Sequence, residues 1–271
     1  MPELPEVETT CRGIEPFLLG HRVIRVVVRD ARLRWPVPDT LNDQLSGQTI
    51  ERLWRRSKYI LAACAGGTLI IHLGMSGSLR VLKKAEPPGK HDHIDIETSA
   101  GAIIRYRDPR RFGCFLWTDC DPFDHPLLKS LGPEPLTPAF DGDYLYRMSR
   151  GRKAPVKSFI MDAKVVVGVG NIYASESLAR SGIHPRRAAG RVGLARYREL
   201  ASQIRYTLER SIRLGGTTLR DFVTPGGSPG YFEQTLVVYG REGEPCRTCG
   251  EAIRQEVIGQ RSSFYCARCQ H

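Results

Sequence analysis

The sequence predicts an α+β protein: an N-terminal antiparallel β-sandwich flanked by helices, then a C-terminal helical domain ending in a four-cysteine zinc ribbon. Three observations carry this. Residues 21 to 118 hold a succession of short β-rich runs broken by turns, VIRVVV, KYILAAC, TLIIHLG, GSLRVL, HIDIET, AIIRYR and FGCFLW, the pattern of an antiparallel sandwich or barrel. Between Leu194 and Leu214, the residues Tyr197, Leu200, Ala201, Ile204, Leu208 and Ile212 recur at helical spacing before Gly215 and Gly216, which gives a helix its buried stripe and its stop. Near the end, Cys246-Arg-Thr-Cys249 and Cys266-Ala-Arg-Cys269 are separated by 16 residues, so that each pair can reach one face of a tetrahedral ion.

Taken in order, Pro5 to Gly20 places Val7, Cys11, Ile14, Phe17 and Leu18 on one helical face and closes on a glycine, an amphipathic helix packed on strands. The uncharged run Tyr59 to Leu79 is long enough for a bilayer but contains Gly66, Gly67, Gly74, Gly77 and His72; two strands joined by a Gly-Gly turn account for it better than a membrane span. Prolines at 122, 126, 133, 135 and 138 allow no long element and mark a domain boundary. The stretch TPGGSPGYFEQTL after Asp221 reads as a mobile loop. The expected domains are 1–135, a β-sandwich; 136–235, helical; and 236–271, the ribbon.

Forty basic against 29 acidic residues in 271 leave a formal charge of +11. That excess points to a polyanion, nucleic acid first and an acidic membrane surface second, with a merely soluble basic protein as the plain alternative. The charge is local. Residues 180 to 220 hold ten Arg against two Glu, a net +8, and 147 to 157 holds five basic residues and no acid; both read as phosphate-facing surfaces, or else as a solvated helix face. The ribbon differs: five Arg and four Glu lie between Arg241 and His271, and four thiolates with one zinc add minus two, so the module is near neutral. A closed four-thiolate shell makes the metal structural, and a redox pair or an iron–sulfur centre are the other uses of such cysteines. Met1 to Thr10 carries three glutamates and no basic residue, which is no secretory signal and implies the cytoplasm.

Several short motifs carry possible chemistry. In Val167-Gly-Val-Gly-Asn-Ile-Tyr173 the glycines precede a helix; without G-x-G-x-x-G or a P-loop Lys-Ser/Thr, a nucleic-acid phosphate fits better than a nucleotide cofactor. Arg110-Arg111-Phe112 after Asp108-Pro109 could wedge into a base stack or simply cap a strand. Met1 precedes Pro2, beside Glu3 and Glu6. Removal of the methionine would leave a secondary amine with a pKa near ~8, partly unprotonated at neutral pH and able to act as a nucleophile; taken alone, however, Pro2 reads first as an inert start, since many proteins begin Met-Pro.

The opening Met1-Pro-Glu-Leu-Pro-Glu-Val-Glu8 resembles that of the bacterial formamidopyrimidine-DNA glycosylase family, and the resemblance covers the whole chain. It recurs in Arg34-Trp35-Pro36, Lys58-Tyr59, HLGMSGSLR (72 to 80), Lys90-His-Asp-His93, DPRRFG (108 to 113), LGPEPL (131 to 136), MDAKVVVGVGNIYASESL (161 to 178), GGTTLRDF (215 to 222), PGYF (229 to 232), VYGR (238 to 241) and the cysteine knuckles.

The resemblance implies a DNA repair glycosylase and lyase for oxidised purines, with Pro2 attacking C1′ to form an imine, Glu3 as general acid/base, and β- then δ-elimination at the abasic site. It implies Lys58 as an aid to elimination, and Arg55 and Arg56 beside it should lower its proton affinity. Arg261 corresponds to the ribbon arginine assigned to δ-elimination; its pKa above ~12 makes it a phosphate clamp sooner than a proton donor. DNA contacts carry over to His91, Arg110, Lys153 and Asn171, with Lys157 a weaker candidate, and Met75, Arg110 and Phe112 to the trio that fills the space of an everted base. Alone, His91 reads as a surface histidine and Met75 as core. Residues 217–231 match the segment that closes over the flipped base. The metal ligands would be Cys246, Cys249, Cys266 and Cys269, around one structural Zn2+ with no organic cofactor. Cys11, Cys64, Cys114 and Cys120 would stay reduced. The helical domain would be of the helix-two-turn-helix type, with DNA in the cleft between domains. The expected partner is double-stranded DNA with oxidised bases or abasic sites, bound by a monomer associated with the bacterial nucleoid and not with a membrane. Two rivals remain: an endonuclease VIII-like enzyme for oxidised pyrimidines, separated by base release from 8-oxoguanine duplex, and a non-catalytic zinc DNA-binding protein on the same scaffold, separated by borohydride trapping.

Overall fold

A computed structural model describes residues 2–216 and 232–271. Met1 and the segment 217–231, on which the expected methionine removal and base-capping loop fall, lie outside the described residues. The fold is α+β in two compact units. The first takes the chain up to Ser130 and resumes at Leu214; the second comprises Leu131–Arg213 and Gln234–His271.

In the first unit, α1 (Leu4–Leu18) buries Val7, Cys11, Ile14 and Leu18. After β1 (Val23–Val28) and the short α2 (Leu41–Leu45), the strands β2 (Arg52–Arg56), β3 (Tyr59–Cys64), β4 (Gly67–His72), β5 (Ser78–Leu82), β6 (Asp92–Thr98), β7 (Ile103–Arg107) and β8 (Cys114–Thr118) follow. They form two antiparallel sheets ordered β1-β6-β7-β5 and β2-β3-β4-β8. Inward residues of both sheets and α1 share one core, including Val26, Ile96, Tyr106, Ile60, Ile71 and Phe115, as period-two alternation requires. Tyr59–Leu79 thus supplies strands, and among the described residues no helix is long and apolar enough to cross a membrane.

Two elements have no forerunner in the sequence reading. One is α2. The other is β2, whose Arg52, Arg55 and Arg56 hide a strand that pairs with β3 from Arg52↔Ala63 to Arg56↔Tyr59. It is the edge of its sheet, where charged side chains are tolerated and discourage further strand pairing.

The second unit holds α3 (Gly142–Ser149), α4 (Val156–Ile160), α5 (Asn171–Arg180) and α6 (Leu194–Arg213), then the hairpin β9 (Arg254–Ile258) and β10 (Arg261–Tyr265). The stripe expected on α6 is buried at Tyr197, Leu200, Ala201, Ile204 and Leu208, and Gly215 and Gly216 adopt positive φ of 77° and 83°. The ribbon packs its small core of Val238, Ile253, Phe264 and Cys266 against Ala179 of α5. Glu176, fully buried, accepts the backbone N–H groups of Val237, Val238 and Tyr239 at 2.9 to 3.1 Å. That anchor connects α5 to the chain entering the ribbon.

Candidate active site and nucleic-acid interface

In the first unit Pro2 and Glu3 are buried at the start of α1. Glu3 is the N-cap and forms a capping box with Glu6, its backbone N–H reaching Glu6 Oε2 at 2.9 Å. Such reciprocal bonding satisfies donors that a helix start leaves open and fixes the direction in which Pro2 emerges. Gly216 lies against this turn: a Cβ there would stand 3.2 Å from Glu6 Oε1.

Lys58 sits in the tight turn between β2 and β3, after Ser57 with φ 57°. Arg55 explains how that turn is held. Its side chain is 9% exposed and donates to Glu8 Oε2 of α1 at 2.9 Å and to the Ser57 carbonyl at 3.0 Å. Glu8 and Arg55 therefore pin the Lys58 turn to the helix that begins with Pro2-Glu3. The Arg55 charge is thus met by Glu8. His72 lies close by: burial, then the charges of Lys58 and Arg34, push its imidazole down to about 4. The Gly74 N–H donates to His72 Nδ1 at 2.9 Å, so that nitrogen carries no proton.

Met75, Arg110 and Phe112 come together on two turns. The turn of Met75 presses on the backbone of the other: a Cβ on Gly74, whose φ is 68°, would lie 2.4 Å from the Phe112 carbonyl carbon. Phe112 is 41% exposed, and the Arg110 guanidinium stacks 4.7 Å from its ring centroid. An exposed phenyl under a cation suits insertion between bases beside phosphates. His91 is half-buried, its ring 6.5 Å from that of buried His93.

In the second unit Asn171, Lys157 and Arg261 meet at the ribbon hairpin. The Ser262 carbonyl accepts from Asn171 Nδ2 and Lys157 Nζ, each at 3.0 Å, and Lys157 also donates to Ser263 Oγ at 2.6 Å. Lys157 is 1% exposed, which corrects its standing as a weaker DNA contact: its ammonium holds the ribbon. Arg261 is exposed and opens β10, directly after Gly259 and Gln260 with φ 56° and 61°. Lys153 is exposed in the loop before α4.

Several arginines between residues 180 and 220 bond to other groups of the unit. Arg186 pairs with Glu256 at 2.8 Å and Arg198 with Asp143 at 3.0 Å. Arg196 binds the carbonyls of His271 and Gly182, and Arg205 those of Thr137 and Phe140. These arginines bind the unit together.

The sulfur atoms of Cys246, Cys249, Cys266 and Cys269 all lie within 4.8 Å of one another, with Cys249–Cys266 at 3.5 Å and Cys246–Cys269 at 4.0 Å. A zinc tetrathiolate with bonds of ~2.3 Å has S···S edges of ~3.8 Å, so the donor set and spacing fit zinc. The ion is structural, since four thiolates leave no open position.

A β-sandwich with a buried Pro-Glu start and a paired wedge, together with a helical unit closed by a four-cysteine ribbon, defines the class of zinc-ribbon DNA glycosylases. The comparisons narrow it. Residues 1–115 match the formamidopyrimidine-DNA glycosylase N-terminal domain, 131–223 its H2TH domain, and 243–271 the zinc finger found in FPG and IleRS. The formamidopyrimidine-DNA glycosylase of Stutzerimonas stutzeri is 61% identical over the full length of both chains. The MutM (Fpg) protein of Thermus thermophilus superposes with a TM-score of 0.89 at 37% identity over 99% of this chain and 98% of that one. Lactococcus lactis Fpg bound to abasic-site DNA gives 0.91 at 32%, over 99% of each. This chain belongs to the formamidopyrimidine-DNA glycosylase family.

Proposed function

We propose that the chain excises oxidised purines, 8-oxoguanine and formamidopyrimidines, from duplex DNA and then nicks the abasic site, in base excision repair. The observation that carries this is the buried Pro2-Glu3 start of α1 in a chain 61% identical over its full length to a formamidopyrimidine-DNA glycosylase. Once Met1 is removed, the Pro2 secondary amine attacks C1′ as the bond to the damaged base breaks; the amine N–H proton passes to the departing base, and the nitrogen lone pair then expels the ring oxygen to leave a cationic iminium. Glu3 protonates the sugar ring oxygen as it opens. The iminium draws electrons from C2′, so the 3′ phosphate leaves by β-elimination, and δ-elimination then frees the 5′ phosphate. Lys58 serves these eliminations, and Arg261 clamps a phosphate.

His91, Arg110, Lys153 and Asn171 contact DNA in this account, while Met75, Arg110 and Phe112 fill the vacated space. Cys246, Cys249, Cys266 and Cys269 hold the zinc, which fixes the ribbon that carries Arg261. The assigned stretches are 1–135 for catalysis, 136–235 for DNA binding and base capping, and 236–271 for the ribbon. The protein acts as a cytoplasmic monomer, associated with the bacterial nucleoid through DNA. The test is base release from duplexes containing 8-oxoguanine opposite cytosine. Release at a rate well above that for oxidised pyrimidines is expected; faster pyrimidine release would overturn the substrate assignment.

A further inference from the structure

We propose that Asp108 is a positioning residue that sets the wedge side chains into one rigid array before DNA arrives. The inference rests on the function proposed above. Asp108 follows β7 and is fully buried. Its Oδ1 accepts from Ser76 Oγ at 2.7 Å and from the Arg110 N–H at 3.2 Å. Its Oδ2 accepts from Tyr106 Oη and from the Gly113 N–H, both at 2.9 Å. Ser76 adjoins Met75, and Gly113 adjoins Phe112. The backbone of Asp108 reaches further: its N–H donates to the His91 carbonyl at 3.0 Å, and its carbonyl lies 2.8 Å from His93 Nε2. One residue thus touches, or touches the neighbour of, each DNA-facing residue assigned in the first unit.

The surroundings leave little freedom. A Cβ on Gly113 would lie 1.8 Å from Tyr106 Oη, and one on Gly77 would lie 2.2 Å from the Leu73 carbonyl oxygen, so the two turns and the tyrosine are packed without slack. Burial, followed by the Asp108 charge, pushes the Tyr106 phenol well up, which keeps it a donor. A carboxylate is suited to the place because it accepts on both oxygens; an amide would face two of these donors with its own N–H groups. Arg111, next along the turn, has φ 55° and pairs with Asp30 at 2.6 Å, which fixes the turn from outside while Asp108 fixes it from within.

A wedge held in advance matters only where a base must leave a stack, since ordering it during eversion would add to the barrier. The test compares Asp108→Asn with wild type on two substrates: duplex 8-oxoguanine, and a single-stranded oligonucleotide with a preformed abasic site, which has no opposite strand to wedge. Losing a buried acceptor shared by several donors should lower kcat/KM on the duplex by about 10- to 100-fold, while borohydride trapping on the single strand stays within about 2-fold. Equal loss on both substrates, or none on the duplex, overturns the proposal. Where Asp108→Asn fails to fold, Ser76→Ala removes one donor, and a duplex-selective loss of smaller size is expected; no selectivity overturns the proposal in the same way. A wild-type protein that releases no damaged base from any duplex overturns the function on which the proposal rests, a result separable from the variant comparison.

Discussion

Removing the Glu8 carboxylate should loosen the Lys58 turn and lower stability together. Arg55 is nearly buried and Glu8 is 21% exposed at its side chain, so the pair lies between an exposed ion pair, with a contribution of ~0.2–1 kcal/mol, and a buried one whose rupture costs ~3–5 kcal/mol. Glu8→Ala takes from Arg55 its bond to this carboxylate and also frees Arg12, which now binds Glu8 at 2.7 Å. The Arg12 contact is exposed and contributes little, so the loss should be ~2 kcal/mol, or ~4–8 °C in Tm for a unit of this size. A double-mutant cycle with Arg55→Ala should return a coupling of at least ~1 kcal/mol. The assay is thermal unfolding of the four proteins alongside single-turnover elimination at a preformed abasic site. If Lys58 serves elimination, that rate should fall more than base release does. A coupling below ~0.5 kcal/mol, or unchanged elimination, would refute the linkage between α1 and the Lys58 turn.

Three other outcomes follow from the same geometry. Lys157→Met should destabilise the second unit by ~1–3 kcal/mol through unmet acceptors and leave the salt dependence of DNA binding unchanged, whereas Lys153→Met should reduce the slope of log K against log salt by about one; a reduced slope for Lys157→Met would contradict its structural role. His72, with its folded value near 4 below the unfolded ~6.5, contributes stability that is complete above pH ~6.5 and lost as pH falls through ~4, up to ~3 kcal/mol; NMR titration showing this imidazole charging near pH 6.5 would contradict the Gly74 hydrogen bond. Stripping zinc, or Cys249→Ser, should expose the amides of Val237, Val238 and Tyr239 to hydrogen exchange while the β-sandwich keeps its protection; unchanged protection at those amides would show that the ribbon holds without metal.

The sequence made the strands of the sandwich legible because each is a short β-rich run set off by turns, and it made the ribbon legible because cysteine spacing is a direct geometric constraint. It concealed β2, where three arginines on an edge strand outweigh Leu53 and Trp54, and α2, only five residues long. Pro2 and Arg110-Arg111-Phe112 stayed ambiguous on their residues alone, and Glu3, Lys58 and Met75 gained their roles only through the resemblance, since no property of a single Met-Pro start distinguishes a nucleophile from an inert terminus. The residues that position them stayed hidden for another reason. Arg55 finds Glu8 at a separation of 47 residues, Ser76 reaches Asp108 across 32, and Glu176 collects amides from 61 or more residues away. A charged residue bound for burial looks like any surface charge until the fold brings its partner. The one available signal was Glu176, an acid among Ile172, Tyr173, Ala174 and Leu178 on a helix buried on nearly every side.

The central claim is that Pro2 forms the covalent bond to DNA. Borohydride reduction of a reaction on 8-oxoguanine duplex, followed by proteolysis and mass spectrometry of the cross-linked peptide, tests it directly. The account predicts a peptide without Met1 whose adduct maps to the Pro2 nitrogen, and no adduct after Pro2→Gly in which the new terminal amine is blocked. An adduct on Lys58, or excision with no trapped species, would contradict it.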